Sequence, residues 1–412
     1  MLHSGLPALS TVSFFDMIKT WRWFGTKDKI TLDMLVQIGV QGIVTSLYDI
    51  PAGEVWSVER ISELKSLIES HGLKWSVVES LPVSEAIKYA GAERDRLIDN
   101  YIQSLENLGK CGIRTVCYNF MPVIDWVRTD LKRPMPDGTS ALYFDYSRLA
   151  FFDIRVLGRK DAARDYPDYV LAKLPELERT MTEEDIHSLI DTIIVKTQGF
   201  ICGNISEGDA APLEHFRSLL SLYDGVTKDD LRANLVYFLK AIMPVCETYG
   251  IDMCIHPDDP PMPVFGLPRI VCNAEDIRYI LDSVDNPHNG LTFCAGSLSA
   301  GAHNDVEAMA REFASRSRFV HLRTCALLPD GDFVEAPHVD GRVNLVELLR
   351  IFMKQDPSLP MRVDHGRDMI SDSVSGYNPG YGFYGRMFAL AQVEGMMCAV
   401  ESLDGDKKVK II

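Results

Sequence analysis

Asp252-Met253-Cys254-Ile255-His256, Leu291-Thr292-Phe293-Cys294, Phe319-Val320-His321 and Met361-Arg362-Val363-Asp364 are four short, largely apolar runs, each closing on a residue that binds metals. The four closing residues are separated by 38, 27 and 43 positions. Each interval holds about one helix and one strand, the length of a βα unit. Four successive parallel strands would therefore deliver imidazole, thiolate, imidazole and carboxylate to one end of a barrel, although they stand far apart in the chain.

Outward from these runs the same alternation continues. Strands are predicted at Thr20–Phe24, Gly42–Thr45, Lys74–Glu79, Arg114–Tyr118, Asp252–His256, Gly290–Cys294, Phe319–Leu322 and Met361–Asp364. Eight is the number that closes an α/β (β/α)8 TIM barrel. Between the strands, Val58, Ile61, Leu64 and Ile68 recur at helical spacing behind Ser57, a capping residue. Leu97, Tyr101, Leu105 and Leu108 repeat the pattern, and Val306, Met309, Ala310 and Phe313 form another apolar stripe. Thr227-Lys228-Asp229-Asp230 resembles a capping box with Asp in the place of Glu, opening a helix that runs toward Gly250. The rhythm breaks once. About a hundred residues separate Tyr118 from Thr227, too many for one crossover. Glu176–Gly199 is helical in pattern, and Leu131–Asp145 is turn-rich, with Pro134, Pro136 and Gly138. The chain thus reads as one barrel domain over residues 1–412, with residues 1–19 as an extension. A largely helical insertion after strand four, about residues 120–226, acts either as a lid over the site or as a structural appendage or oligomer contact.

Composition narrows the function. A net charge of −16 (42 basic against 58 acidic residues) argues against nucleic acid, whose phosphates demand basic patches. It leaves room for a small anion bound by a few arginines and a metal. Nine cysteines without CxxC spacing fit neither a disulfide framework nor a zinc ribbon, and suit a reducing cytoplasm. No apolar run approaches the roughly 20 residues of a membrane span, and the first residues lack the pattern of a signal peptide.

A donor set of two imidazoles, a thiolate and a carboxylate (His256, Cys294, His321, Asp364) suits a borderline divalent ion and argues against Ca²⁺ or Mg²⁺. Four protein ligands with positions left for substrate oxygens require five- or six-coordination, which favours Fe²⁺ or Mn²⁺ over tetrahedral zinc. His365 follows the ligand Asp364 and is placed to reach over the metal. Tyr381 lies on the Gly/Pro turn Asn378-Pro379-Gly380-Tyr381-Gly382, either facing the cavity or as a surface aromatic. Arg323 offers a bidentate fork for a substrate carboxylate. Asp258 and Asp259 read as supports for the metal ligands or as turn residues. Glu335 and His338, in the loop after strand seven, read as lesser acid–base candidates or as members of a solvated loop.

Several longer stretches carry a resemblance. They include Thr20-Trp21-Arg22-Trp23-Phe24-Gly25, Trp75-Ser76-Val77-Val78-Glu79-Ser80, Cys117-Tyr118-Asn119-Phe120-Met121-Pro122-Val123, His256-Pro257-Asp258-Asp259-Pro260-Pro261 and Asp364-His365-Gly366. From about Thr20 to the C-terminus the chain resembles the metal-dependent mannonate dehydratases of hexuronate degradation, which have a xylose-isomerase-like barrel. The resemblance implies dehydration of D-mannonate to 2-dehydro-3-deoxy-D-gluconate with Mn²⁺ or Fe²⁺ held by His256, Cys294, His321 and Asp364. It implies His365 and Tyr381 as the acid–base pair, with Tyr377 as the neighbouring tyrosine, and leaves open which partner is the base. Arg323, Glu79 and Asn119 are the expected substrate contacts. The expected partners are a small sugar acid and a second copy of the chain in a homo-oligomer, a dimer, with no nucleic acid and no membrane. A sugar isomerase or epimerase on the same barrel, and a non-catalytic sugar-acid-binding protein, are the rival readings.

Overall fold

The computed structural model describes residues 17–199, 205 and 208–404. Its strands are β1 (Ile18–Arg22), β2 (Gly42–Thr45), β3 (Lys74–Glu79), β4 (Thr115–Tyr118), β5 (Asp130–Pro134) and β6 (Ser140–Phe144). They continue with β7 (Asp252–Ile255), β8 (Asn289–Cys294), β9 (Ser317–His321), β10 (Cys325–Leu327), β11 (Phe333–Glu335) and β12 (Pro360–Arg362). Eight of them close a parallel barrel in the order β1-β2-β3-β4-β7-β8-β9-β12. Closure is made by β1 lying beside β12, with Ile18 opposite Pro360 and Lys19 opposite Met361. Val44, Val77, Cys117 and Phe319 pack together as a small buried cluster contributed by four of these strands.

The helices form for the reasons the sequence suggests. Ser57 accepts a hydrogen bond from the Arg60 backbone N–H at the head of Val58–Ser70, where Ile61 and Ile68 are buried. Thr227 and Asp230 exchange both capping-box bonds at the head of Lys228–Tyr249, and Gly250 ends that helix with a left-handed φ of 64°. Leu97, Tyr101, Leu105 and Leu108 bury one face of Arg94–Lys110, and Tyr101 meets Phe238 of Lys228–Tyr249 edge-on at 5.0 Å. Val306, Met309, Ala310 and Phe313 are all buried, as their spacing requires.

Two expectations change. The first strand begins at Ile18, two residues before its predicted start, because register with Pro360 and Met361 is what closes the barrel. Ile18 and Lys19 therefore belong to β1, and residues 1–16 of the expected extension lie outside the described residues. The turn-rich stretch Leu131–Asp145 is largely a hairpin. β5 and β6 pair antiparallel, and β11 and β10 extend them into a four-stranded sheet. Prolines at 134 and 136 are tolerated because Pro134 ends the edge strand β5 and Pro136 lies in its turn. The rest of the insertion is helical, with its own apolar core around Phe151, Phe152, Ile193, Ile194 and Phe216. It is tied to the catalytic face by bridges from Trp126 to Asp259 and from Ser140 to Asp368.

Candidate active site

Each ligand candidate is carried by the mouth of a different barrel strand. Cys294 ends β8 and His321 ends β9, His256 follows β7 by one residue, and Asp364 follows β12 by two. The ligand atoms of His256, Cys294 and His321 lie within 4.8 Å of one another. Asp364 Oδ2 stands 3.7 Å from His321 Nδ1 and 3.9 Å from Cys294 Sγ. His256 donates from Nδ1 to the Pro257 carbonyl at 2.7 Å, and its Nε2 stands 3.2 Å from His321 Nδ1. Two imidazole nitrogens this close either share a proton or face one cation.

The surroundings fit a bound cation. Burial pushes the Cys294 thiol up, but Arg323 and His256 beside it outweigh burial and hold it well below the ordinary thiol value, the direction a metal-binding sulfur needs. Ser297 supports that sulfur through its hydroxyl at 3.1 Å. Asp364 is likewise held well below the carboxylate range; burial opposes this, and Arg362, His365, Arg323 and His321 prevail. Glu79 Oε2 is buried without a hydrogen-bond partner and lies 3.6 Å from His321 Nε2. That same Nε2 is closer to Arg362, whose Nε donates to it at 3.0 Å.

Asp364 has a φ of 54°, in the left-handed region. In an extended strand consecutive side chains point to opposite faces. The turn at Asp364 instead brings both Asp364 and His365 to one cleft, which Arg22, Glu79, Asn119, Trp126, Arg323, Arg362 and Tyr381 also line. The Tyr381 hydroxyl is 3.3 Å from Asp364 Oδ1, and its ring meets His365 edge-on at 5.1 Å. Burial and Asp364 push Tyr381 up to about 12 against Arg22 and Arg362, so it carries its proton at neutral pH. Tyr377 is not among the residues lining the cleft.

The family model for D-mannonate dehydratase (UxuA) matches residues 17–407. Mannonate dehydratases of Marinomonas sp. (strain MWYL1) and Chromohalobacter salexigens are each 43% identical to the chain, across 94% of it and the whole of each relative. The solved mannonate dehydratase from Streptococcus suis serotype 2 superposes with a TM-score of 0.76 at 34% identity, over 96% of this chain and 99% of that one. The chain belongs to the D-mannonate dehydratase family. It is a carbon–oxygen lyase, and the family's reaction is the dehydration of D-mannonate. Among the described residues no helix is long and apolar enough to cross a membrane.

Seen as a dehydratase site, the cleft differs from the sequence reading in its arginines. All three nitrogens of Arg323 are engaged by the protein: Nε by Asp364 (2.6 Å), Nη1 by Glu335 (2.7 Å) and Nη2 by Asp259 (2.6 Å). Arg323 thus grips the ligand-bearing loop. Asp259 supports it and also binds Arg128 at 2.7 Å, whereas Asp258 ties its own loop through Arg269 and the Val271 backbone. Glu335 and His338 are buried, not solvated. β11 pairs on both edges and draws Glu335 inward, while His338 bonds the Val363 carbonyl at 2.9 Å. Glu79 is half committed, its Oε1 receiving Arg22 and Arg362 at 3.0 and 2.8 Å. Asn119 donates to Asp125 at 2.8 Å.

Sequence reasoning passed over Arg22, Arg362, Asp125 and Trp126. Arg22 and Arg362 end β1 and β12, so the rule that found the ligands would have found them. Asp125 and Trp126 come from the insertion, where no periodicity marks which residues turn toward the cleft.

Proposed function

We propose that this chain eliminates water from D-mannonate to give 2-dehydro-3-deoxy-D-gluconate, as a step of hexuronate (glucuronate) catabolism in the cytoplasm. His256, Cys294, His321 and Asp364 would hold one Mn²⁺ or Fe²⁺. The observation that carries the reading is the convergence of these four residues beside His365 and Tyr381, in a chain of this family. When bound, the cation would supply Lewis-acid stabilisation of charge developing on substrate oxygens, an effect of several kcal/mol.

The protein's own groups account for the proton transfers. The reaction needs a base for the hydrogen on C2 and an acid for the hydroxyl leaving C3. His365 has Nδ1 directed at Glu335, so Nε2 presents its lone pair as the base. Tyr381, pushed up to about 12, keeps its proton and delivers it to the departing hydroxide, which leaves as water. Such a pair contributes roughly 10²–10⁴ in rate per residue. Arg22, Glu79 and Asn119 line the cleft and would bind the substrate's carboxylate and hydroxyl groups, while Arg323 orients Asp364. The enol product tautomerises to the 2-keto acid.

The test is anaerobic incubation of the purified protein with Mn²⁺ and D-mannonate, followed by an assay for a 2-keto-3-deoxy acid and light scattering for the proposed dimer. Turnover to that product is expected. Interconversion of the substrate's epimers or of aldose and ketose without loss of water, or an inert protein after metal loading, would refute the reading.

A further inference from the structure

Glu335 sits at the end of β11, in an excursion between the barrel strands β9 and β12. Its strand pairs with β10, where Cys325 lies opposite Glu335, and with β6 of the insertion, where Phe333 lies opposite Phe144. The two phenylalanine rings stack at 4.9 Å. The result is a carboxylate carried to the cleft on regular structure, only 2% exposed.

Its contacts are specific. Oε1 receives Arg128 Nη2 and Arg323 Nη1, each at 2.7 Å, and stands 3.4 Å from His365 Nδ1. Among the carboxylates of this network, Glu335 is the one that meets Nδ1; Asp364 lies 3.9 Å from the opposite nitrogen, Nε2. The ring is further boxed by Trp126 at 5.2 Å and by Tyr381 at 5.1 Å. A contact of 3.4 Å is at the long end for a hydrogen bond.

A neutral imidazole carries one proton, and whichever nitrogen holds it ceases to be a base. An acceptor fixed at Nδ1 selects the tautomer with a free Nε2 and stops rotation of the ring. We propose that Glu335 is a positioning residue for the dehydration: it accepts the Nδ1 proton of His365 and so aims Nε2 at the C2 hydrogen of the substrate. The inference rests on the reading of His365 as the base. It also gives the four-stranded sheet a purpose, since β6 and β10 hold the strand that carries Glu335.

A double-mutant cycle tests it. Wild type, Glu335→Gln, His365→Ala and the double variant are loaded with Mn²⁺ and assayed for kcat, KM, bound manganese and melting temperature. Glu335→Gln is expected to lower kcat roughly 10²-fold, within what a general base contributes, with KM and manganese content close to wild type. In the His365→Ala background the same change should alter kcat less than about threefold, because residues acting as a unit are non-additive. Glu335→Asp keeps the charge that Arg128 and Arg323 require, so it carries the same cycle if the Gln variant does not fold. An unchanged kcat, or a loss that multiplies with that of His365→Ala, would overturn the role of Glu335 while leaving His365 in place. Full kcat in His365→Ala alone would instead remove the base assignment, and the inference with it.

Discussion

Replacing Arg323 by Met is the sharpest test of how this site is held together. The guanidinium is 1% exposed and touches three carboxylates, on Asp364, Glu335 and Asp259, at 2.6–2.7 Å. Met keeps most of the volume and removes the charge. The loss is bounded because each acid retains another arginine: Arg128 stays on Asp259 and Glu335, and Arg362 on Asp364. Removing one partner from a buried ion pair costs about 3–5 kcal/mol. Unfolding entropy is about 2.1 cal/mol/K per residue near 60 °C. Over 412 residues that is roughly 0.9 kcal/mol/K, so the melting temperature should fall by about 3–6 °C. Two further losses follow from geometry. Asp364 loses the donor on the oxygen nearest His321, and Cys294 loses a positive neighbour that holds its thiol down, so manganese affinity and kcat should fall together. Calorimetry, metal analysis after dialysis and steady-state kinetics read the three effects. A variant with unchanged melting temperature and manganese content but a raised KM would refute this reasoning and restore Arg323 as the fork for the substrate carboxylate.

Cys294→Ser should lower manganese affinity by more than the roughly 10–100-fold that outer-shell changes cost, and activity with it, while circular dichroism stays that of wild type; full metal occupancy in the variant would exclude the thiolate as a ligand. Stability should fall on acidification. Glu335 is held near 2 in the fold against an ordinary 4.5: burial opposes this, and Arg323, the bond from His365 and Arg128 prevail. A depressed carboxylate stabilises the fold above its ordinary value and loses that contribution as pH falls through the folded one. Asp259, held low by Arg128 and Arg323, acts with the same sign. The urea midpoint should therefore drop between about pH 4.5 and 2, less steeply in Glu335→Gln, and a flat profile over that window would count against the network.

The barrel was legible because its signals are local. Apolar runs of strand length, alternating with helical stripes at fixed spacing, determine eight staves, and Ser57 and Thr227 mark helix starts through bonds to backbone only three residues away. The metal ligands were legible for a related reason: strand ends in a parallel barrel share one mouth, so His256, Cys294, His321 and Asp364 are brought together once the strands are recognised. Other features depend on partners far along the chain. Pro136-Asp137-Gly138 marks the turn of a hairpin in Leu131–Asp145, but nothing local announces that β11, nearly two hundred residues on, completes its sheet. Arg323 reads as a free fork until Glu335 and Asp259 are seen to occupy it. Glu335 reads as a solvated residue until pairing of β11 with β6 and β10 draws it under His365. Sequence alone determined which residues reach the mouth of the barrel, since strand period and length are properties of neighbouring residues. Tertiary structure decided which charge meets which, since a buried ion's partner is chosen by packing across the whole chain.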